Sequence, residues 1–183
     1  LETYIQKGLV QDAPGAEDYI RRRLRYNLLY TDLLAARLAY EASRDCRAEK
    51  LSELEDILEA SRVSFEIRDA SRRLGSRFIK TLSKMDIPWT SGFFQEYLAT
   101  GPKKTLCHPC AYGAVCACAG IPLTDALLNF LYAQASAMVT NCVKLIPLSQ
   151  TEGQRMLSDL YSLFGEILAE AENAGEEMLC AST

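Results

Sequence analysis

Thiols, imidazole and carboxylates build metal and redox sites, and in this chain they crowd together once. The stretch Thr105-Leu-Cys-His-Pro-Cys-Ala-Tyr-Gly-Ala-Val-Cys-Ala-Cys-Ala119 holds four of the seven cysteines and the single histidine. A zinc-type site places thiolates about 2.3 Å from the metal, so the ligating sulfurs must lie within roughly 4 Å of one another. Pro109 fits the first turn of a helix, where its missing N–H costs nothing, and a helix from there through Ala119 disperses most of the set. Cys116 and Cys118 then face opposite sides, and Cys110 and Cys118 share a face but lie about 12 Å apart. Only Cys107, His108 and Cys110, which straddle the helix start, could converge on a metal. Cys116 and Cys118 read as small buried side chains standing where alanine would also fit.

Cys107-His-Pro-Cys110 also has the Cys-x-x-Cys spacing of dithiol redox motifs, where a helix dipole favours thiolate. The strands that such motifs require are not predicted. A Ser-His-Asp or Cys-His catalytic set would have to use His108, and no spacing identifies a partner for it. Gly-rich phosphate loops, Gly-x-Ser-x-Gly and His-Glu-x-x-His are all absent from the sequence. The basic run Arg21-Arg-Arg-Leu-Arg25 carries an apolar side through Leu24 and Leu28, which makes it a solvated helix face or a protein-docking patch.

The elements that must position these residues are helices. Ile67, Ala70, Leu74, Phe78, Leu82 and Met85 recur at helical spacing opposite Glu66, Asp69, Arg72, Arg73, Ser76 and Lys80. Met156, Leu157, Leu160, Phe164, Ile167, Leu168 and Ala171 repeat the pattern behind Ser149-Gln-Thr-Glu152, a capping box directly after Pro147. Tyr19 to Arg37 and Leu51 to Leu58 read the same way. No period-two run and no hairpin dipeptide appears. Breaks at Asp12-Ala-Pro-Gly15, Asp86-Ile-Pro88, Gly101-Pro102, Gly120-Ile-Pro122 and Pro147 delimit helices of ordinary length. The expectation is one all-α, single-domain helical bundle over residues 1–183. The uncharged run from Ala126 to Val143 is long enough to suggest a membrane span, but Asn129, Gln134 and Asn141 weigh against it, and the central helix of a bundle or an oligomer contact is expected instead.

Composition narrows the function classes. With 49% hydrophobic and 24% charged residues the chain is globular, and its net charge of -4 argues against nucleic acid or an anionic membrane as partner. Seven unevenly scattered cysteines do not make a disulfide framework, so a reducing, cytoplasmic setting is expected.

Several motifs together carry a family resemblance: Leu1-Glu-Thr-Tyr-Ile-Gln6; Glu66-Ile-Arg-Asp-Ala-Ser71 followed by Gly75; His108 with Tyr112-Gly113 and Gly120-Ile121; Leu131-Tyr132; and Lys144-Leu-Ile-Pro-Leu-Ser-Gln-Thr-Glu-Gly-Gln154. In this order and at these separations the chain resembles the urease accessory protein family UreF along its whole length. The resemblance implies an all-α protein that forms a homodimer and has no catalytic role. It implies an adaptor that binds the accessory protein UreD or UreH, recruits the GTPase UreG and helps GTP-dependent nickel insertion into apo-urease. No tightly bound cofactor is expected, nickel being at most transient cargo.

Candidate partner-binding residues under that resemblance are Glu2, Tyr4, Arg68, Ser71, Gly75, Tyr132, Lys144, Gln150 and Gln154. Gly75 inside a helix costs about 1 kcal/mol relative to alanine, which close approach of a helix or partner backbone would explain. The plainer alternative is that Glu2, Tyr4, Arg68 and Ser71 tie helices together. Two other functions compete: a GTPase-activating regulator of UreG using Arg68, Arg77 or Gln154, and a metal-binding or redox protein using Cys107, His108 and Cys110. Lys144, Ser149 and Tyr112 stand where the family commonly has arginine, glycine and phenylalanine. Relatives also carry a segment ahead of the Leu1-Glu2 motif and a tail beyond Thr183, so a shortened chain with weakened affinity for the UreD-type partner is expected.

Overall fold

The computed structural model describes residues 2–100 and 107–181, the side chain of Thr100 excepted. Leu1, the Gly101-Pro102 break, Thr105-Leu106 and Thr183 lie outside the described residues. The elements are α1 (Glu2–Gln6), α2 (Ala13–Arg23), a π-helical segment (Leu24–Leu33), α3 (Leu34–Arg44), α4 (Ala48–Ser61), α5 (Phe65–Leu82), α6 (Phe93–Thr100), α7 (His108–Cys118), α8 (Leu123–Leu145), α9 (Gln150–Asn173) and a short 3-10 turn (Glu176–Met178). The fold is all-α, with no strand among the described residues. The chain forms two compact units, Leu1–Leu29 with Leu128–Asn173 and Tyr30–Leu127 with Ala174–Thr183.

In the first unit α2 packs on α9. The periodicity of α9 is realised in full: Met156, Leu157, Leu160, Phe164, Ile167, Leu168 and Ala171 are all buried. Its start is the expected capping box, with the Ser149 N–H donating to Glu152 Oε2 at 2.7 Å and the Glu152 N–H donating to Ser149 Oγ at 3.1 Å. These two bonds satisfy donors that the first turn otherwise leaves open. The Ser149 N–H, helped by the Ser149 hydroxyl, also holds the Glu152 carboxyl below its ordinary range. Asp12 caps α2 by accepting from the Gly15 N–H at 2.8 Å. Three of the four arginines of the basic run are paired, Arg21 with Glu17, Arg22 with Asp18 and Arg25 with Glu166. On α8, Phe130, Leu131, Ala135, Val139 and Cys142 are buried while Tyr132, Ala133, Ala137, Thr140 and Asn141 face solvent. The stretch is therefore not enclosed all round as expected of a central helix. No helix among the described residues is long and apolar enough to cross a membrane.

In the second unit α3 and α7 form the closest pair. Both are lined with small residues, Ala35, Ala39 and Ala42 on α3 and Cys110, Ala114 and Cys118 on α7, all buried in one core. Gly113 lets the helices touch: a Cβ there would fall 2.1 Å from the Ala36 carbonyl oxygen. Helix α7 ends in a Schellman motif, with the Ile121 N–H donating to the Cys116 carbonyl at 3.0 Å and the Gly120 N–H to that of Ala117 at 3.1 Å. Gly120 supplies the left-handed φ of 71° that this requires.

Helix α5 departs from expectation. The helix exists, but of the six residues read from periodicity as its core side only Phe78 and Leu82 pack against the core, whereas Ala70 is exposed and Ile67, Leu74 and Met85 are 56%, 50% and 56% exposed. The packed side is centred instead on buried Gly75, with Phe78, Ile79 and Leu82 partly buried against the core. Tertiary packing has thus turned the helix by about 80° from the face that hydrophobicity marks, at about 100° per residue.

Candidate functional site

Cys107 is the N-cap of α7 and Pro109 sits in its first turn, as the spacing required. The three candidate ligands nevertheless diverge. Cys110 is buried and hydrogen-bonded to Cys107, and that contact together with burial holds its thiol well above the ordinary range. His108 projects to the other side, its ring 5.6 Å from Phe78 and 6.2 Å from Tyr112. No three His, Cys, Asp or Glu among the described residues stand where they could hold a metal ion. Successive positions in one helical turn point about 100° apart, which separates His108 from the cysteine pair.

Burial also governs the two thiols in the last turn of α7, where the helix dipole gives thiolate no support. It pushes the Cys116 thiol up to about 11, against an opposing hydrogen bond to Tyr112, and raises that of Cys118. The Tyr112 hydroxyl donates to the Ala126 carbonyl at 3.0 Å. Cys116 and Cys118 are 4% and 0% exposed, so both serve as packing.

Beside this helix start lies a notch lined by Glu59, Arg62, Arg68, Arg72 and Cys107. Arg62, the C-cap of α4, bridges three elements by pairing with Asp32 and donating to Ser71 Oγ. Arg72 pairs with Glu59. Arg68 makes no ion pair among the described residues. Arg68, Ser71 and Gly75 thus share the packed side of α5, and Ser71 is a helix tie rather than a surface group.

His108 is half-buried, and its pKa is lowered by burial, with Asp32 opposing and Arg62 adding to the effect. Its ordinary value of 6.5 governs the unfolded chain, which therefore takes up the proton before the folded one does. Stability is fully present above that value and is lost as pH falls through the window below it. Thermal unfolding followed between about pH 7.5 and about pH 5.5 should show this loss, and His108→Gln should flatten it.

The first unit brings together a second set. Tyr132 on α8 and Gln154 on α9 line a shallow, open depression with Leu157, Ser158, Tyr161 and Ser162. Tyr132 and Tyr161 are 43% and 52% exposed, so two aromatic rings stand at the rim. Lys144 is exposed in the last turn of α8, and Gln150 is exposed at the first position of α9; neither lines the depression. Glu2 and Tyr4 belong to α1 of the same unit, both exposed, with the Tyr4 ring 5.2 Å from that of Tyr19. Sequence reasoning missed Tyr161 because it follows the buried Leu160 in a run that reads as core. Its separation of seven residues from Gln154, two helical turns, was the available signal.

Comparison with known proteins identifies the family. The UreF family model matches residues 10–161. The urease accessory protein UreF of Haemophilus influenzae (strain PittEE) is 32% identical over 183 residues, covering 100% of this chain and 77% of that protein. UreF of Actinobacillus pleuropneumoniae serotype 5b (strain L20) is 30% identical over 184 residues, covering 100% and 80%. UreF of Arthrobacter sp. (strain FB24) is 32% identical over 158 residues, covering 85% and 66%. With the match running from the buried Val10 into α9, the chain belongs to the UreF family of urease accessory proteins.

Proposed function

We propose that this protein acts in the cytoplasm as a non-catalytic adaptor in urease maturation, bridging a UreD/UreH-type protein and a UreG-type GTPase during GTP-dependent nickel insertion into apo-urease. The observation that carries this reading is the family match over residues 10–161. The docking geometry supports it: the depression holding Tyr132 and Gln154 is open, apolar at its rim and uncharged, which suits a protein surface. Nickel is cargo in this scheme, and no residue here is assigned to hold it. We further propose that the exposed side of α8 around Tyr132 contributes to a homodimer.

The test is activation. A host carrying the urease structural genes with UreD/UreH and UreG, but lacking its own UreF, should regain active, nickel-loaded urease when it expresses this chain. Capture of neither accessory protein, together with no activation, would sink the adaptor reading. Sedimentation of wild type and Tyr132→Asp reads the dimer; a wild-type chain that stays monomeric at high concentration removes that part. Measuring UreG turnover of GTP with and without this chain separates an adaptor from a GTPase-activating regulator.

A further inference from the structure

Helix α5 leaves an apolar, basic face without a partner. Ile67 and Leu74 lie within about 20° of one another on the helix surface, and both are half exposed or more. Ala70 and Thr81 are exposed beside them, and Met85 follows just past the helix end, 56% exposed. The charge alongside is one-sided. Between Phe65 and Lys84 there are six basic side chains against two acidic ones, in a chain whose net charge is -4. Arg73 is neutralised by Asp69 at 2.7 Å. Arg77, Lys80 and Lys84 are exposed and make no ion pair among the described residues.

We propose that this outer face of α5 docks a partner protein whose surface presents an apolar ridge flanked by carboxylates. Ile67 and Leu74 supply the desolvated centre, and Arg77, Lys80 and Lys84 supply complementary charge at the rim. A second copy of this chain offers too few carboxylates: pairing α5 with itself in parallel sets these three cations against one another, and an antiparallel pairing sets them against Glu66 and an Asp69 that Arg73 already occupies. Nucleic acid is disfavoured because three free cations release few counterions and Glu66 and Asp69 share the helix. A membrane surface is disfavoured because the exposed stripe lacks the aromatic or leucine-rich width of interfacial helices. The inference rests on the adaptor reading only in needing a protein partner, and it names the face that reading left open.

The test uses the full chain with the UreD/UreH-type protein and the UreG-type GTPase as separate probes, titrated by calorimetry. One of the two should bind, and the Kd should rise about tenfold or more in Arg77→Glu with Lys80→Glu and, independently, in Leu74→Asp. Added salt should weaken the wild-type complex, and Arg77→Lys with Lys80→Arg should retain it. Circular dichroism of all variants should match wild type, since each altered side chain faces solvent. An unchanged Kd in the charge-reversed and Leu74→Asp variants overturns the proposal. So does binding of phosphatidylserine vesicles or duplex RNA that the same substitutions abolish, or a loss of self-association in place of partner binding. If wild type activates urease and the α5 variants bind and activate equally, only this face is wrong. If wild type neither binds nor activates, the adaptor reading fails first and this inference falls with it.

Discussion

Gly113→Val should unfold the second unit, and Gly165→Ala should not harm the first. The two glycines sit in helix interiors, where alanine is intrinsically preferred by about 1 kcal/mol. Their surroundings differ. A Cβ at Gly165 meets nothing within 4 Å, whereas one at Gly113 lands 2.1 Å from the Ala36 carbonyl oxygen and 3.0 Å from the Tyr40 backbone nitrogen. Those are backbone atoms that cannot swing aside, so α7 and α3 must separate. Separation would open the core formed by Ala35, Ala39, Cys110, Ala114 and Cys118. Overpacking of this kind costs about 3 kcal/mol or more, a large share of a typical domain stability of about 5–15 kcal/mol. Denaturant unfolding should show Gly113→Ala destabilised, Gly113→Val without a cooperative transition for this unit, and Gly165→Ala unchanged or up to about 1 kcal/mol more stable. A Gly113→Val chain with wild-type stability would mean that α3 and α7 do not cross at this glycine.

Arg62→Met should be the next most damaging change, by about 2 kcal/mol. The Arg62 side chain is 14% exposed and its partner Asp32 is 29% exposed, so part of the pair's interaction is already screened by water. Methionine keeps the apolar stem but removes the guanidinium that joins the end of α4 to Asp32 and to Ser71 on α5. Asp32 is then left with its charge partly desolvated and unpaired by Arg62. Adding Asp32→Asn should recover part of the loss, because it removes the stranded charge. A second readout comes from His108, whose pKa Arg62 lowers and Asp32 raises. Removing Arg62 alone should move the His108 titration upward, and the double variant should bring it back down. NMR titration of the imidazole checks the sign. No movement would show that Arg62 does not act on His108.

These two sites mark what sequence reading could reach. The capping box at Ser149 and Glu152, the first-turn Pro109, the break at Gly120 and the buried stripe of α9 were legible because each depends on residues within a few positions of one another. The Cys107-His108-Cys110 set was not read in this way: its spacing left it free to converge, and in the fold it diverges. What lay beyond reach depends on contacts between distant segments. Gly113 was visible as part of a motif, yet the reason for it is Ala36, far away in sequence. The association of Tyr132 with Gln154 and Tyr161 likewise exists only because α8 and α9 pack in one unit.

Helix α5 shows the limit most clearly. Its periodicity was sufficient to establish a helix, because any amphipathic stripe of 3.6-residue period does so. Periodicity ranks the faces of a helix by hydrophobicity, but burial is settled by which face fits its neighbours. On α5 the fit went to the side bearing buried Gly75 and Ser71, where Phe78, Ile79 and Leu82 meet the core and Arg62 supplies a hydrogen bond to Ser71. Part of the apolar stripe, Ile67 and Leu74, was left to solvent. Local sequence thus determined the helices, their caps and the family pattern, which are short-range properties of the chain. Tertiary structure alone decided which faces remain open for partners, because exposure is what remains after distant segments have packed.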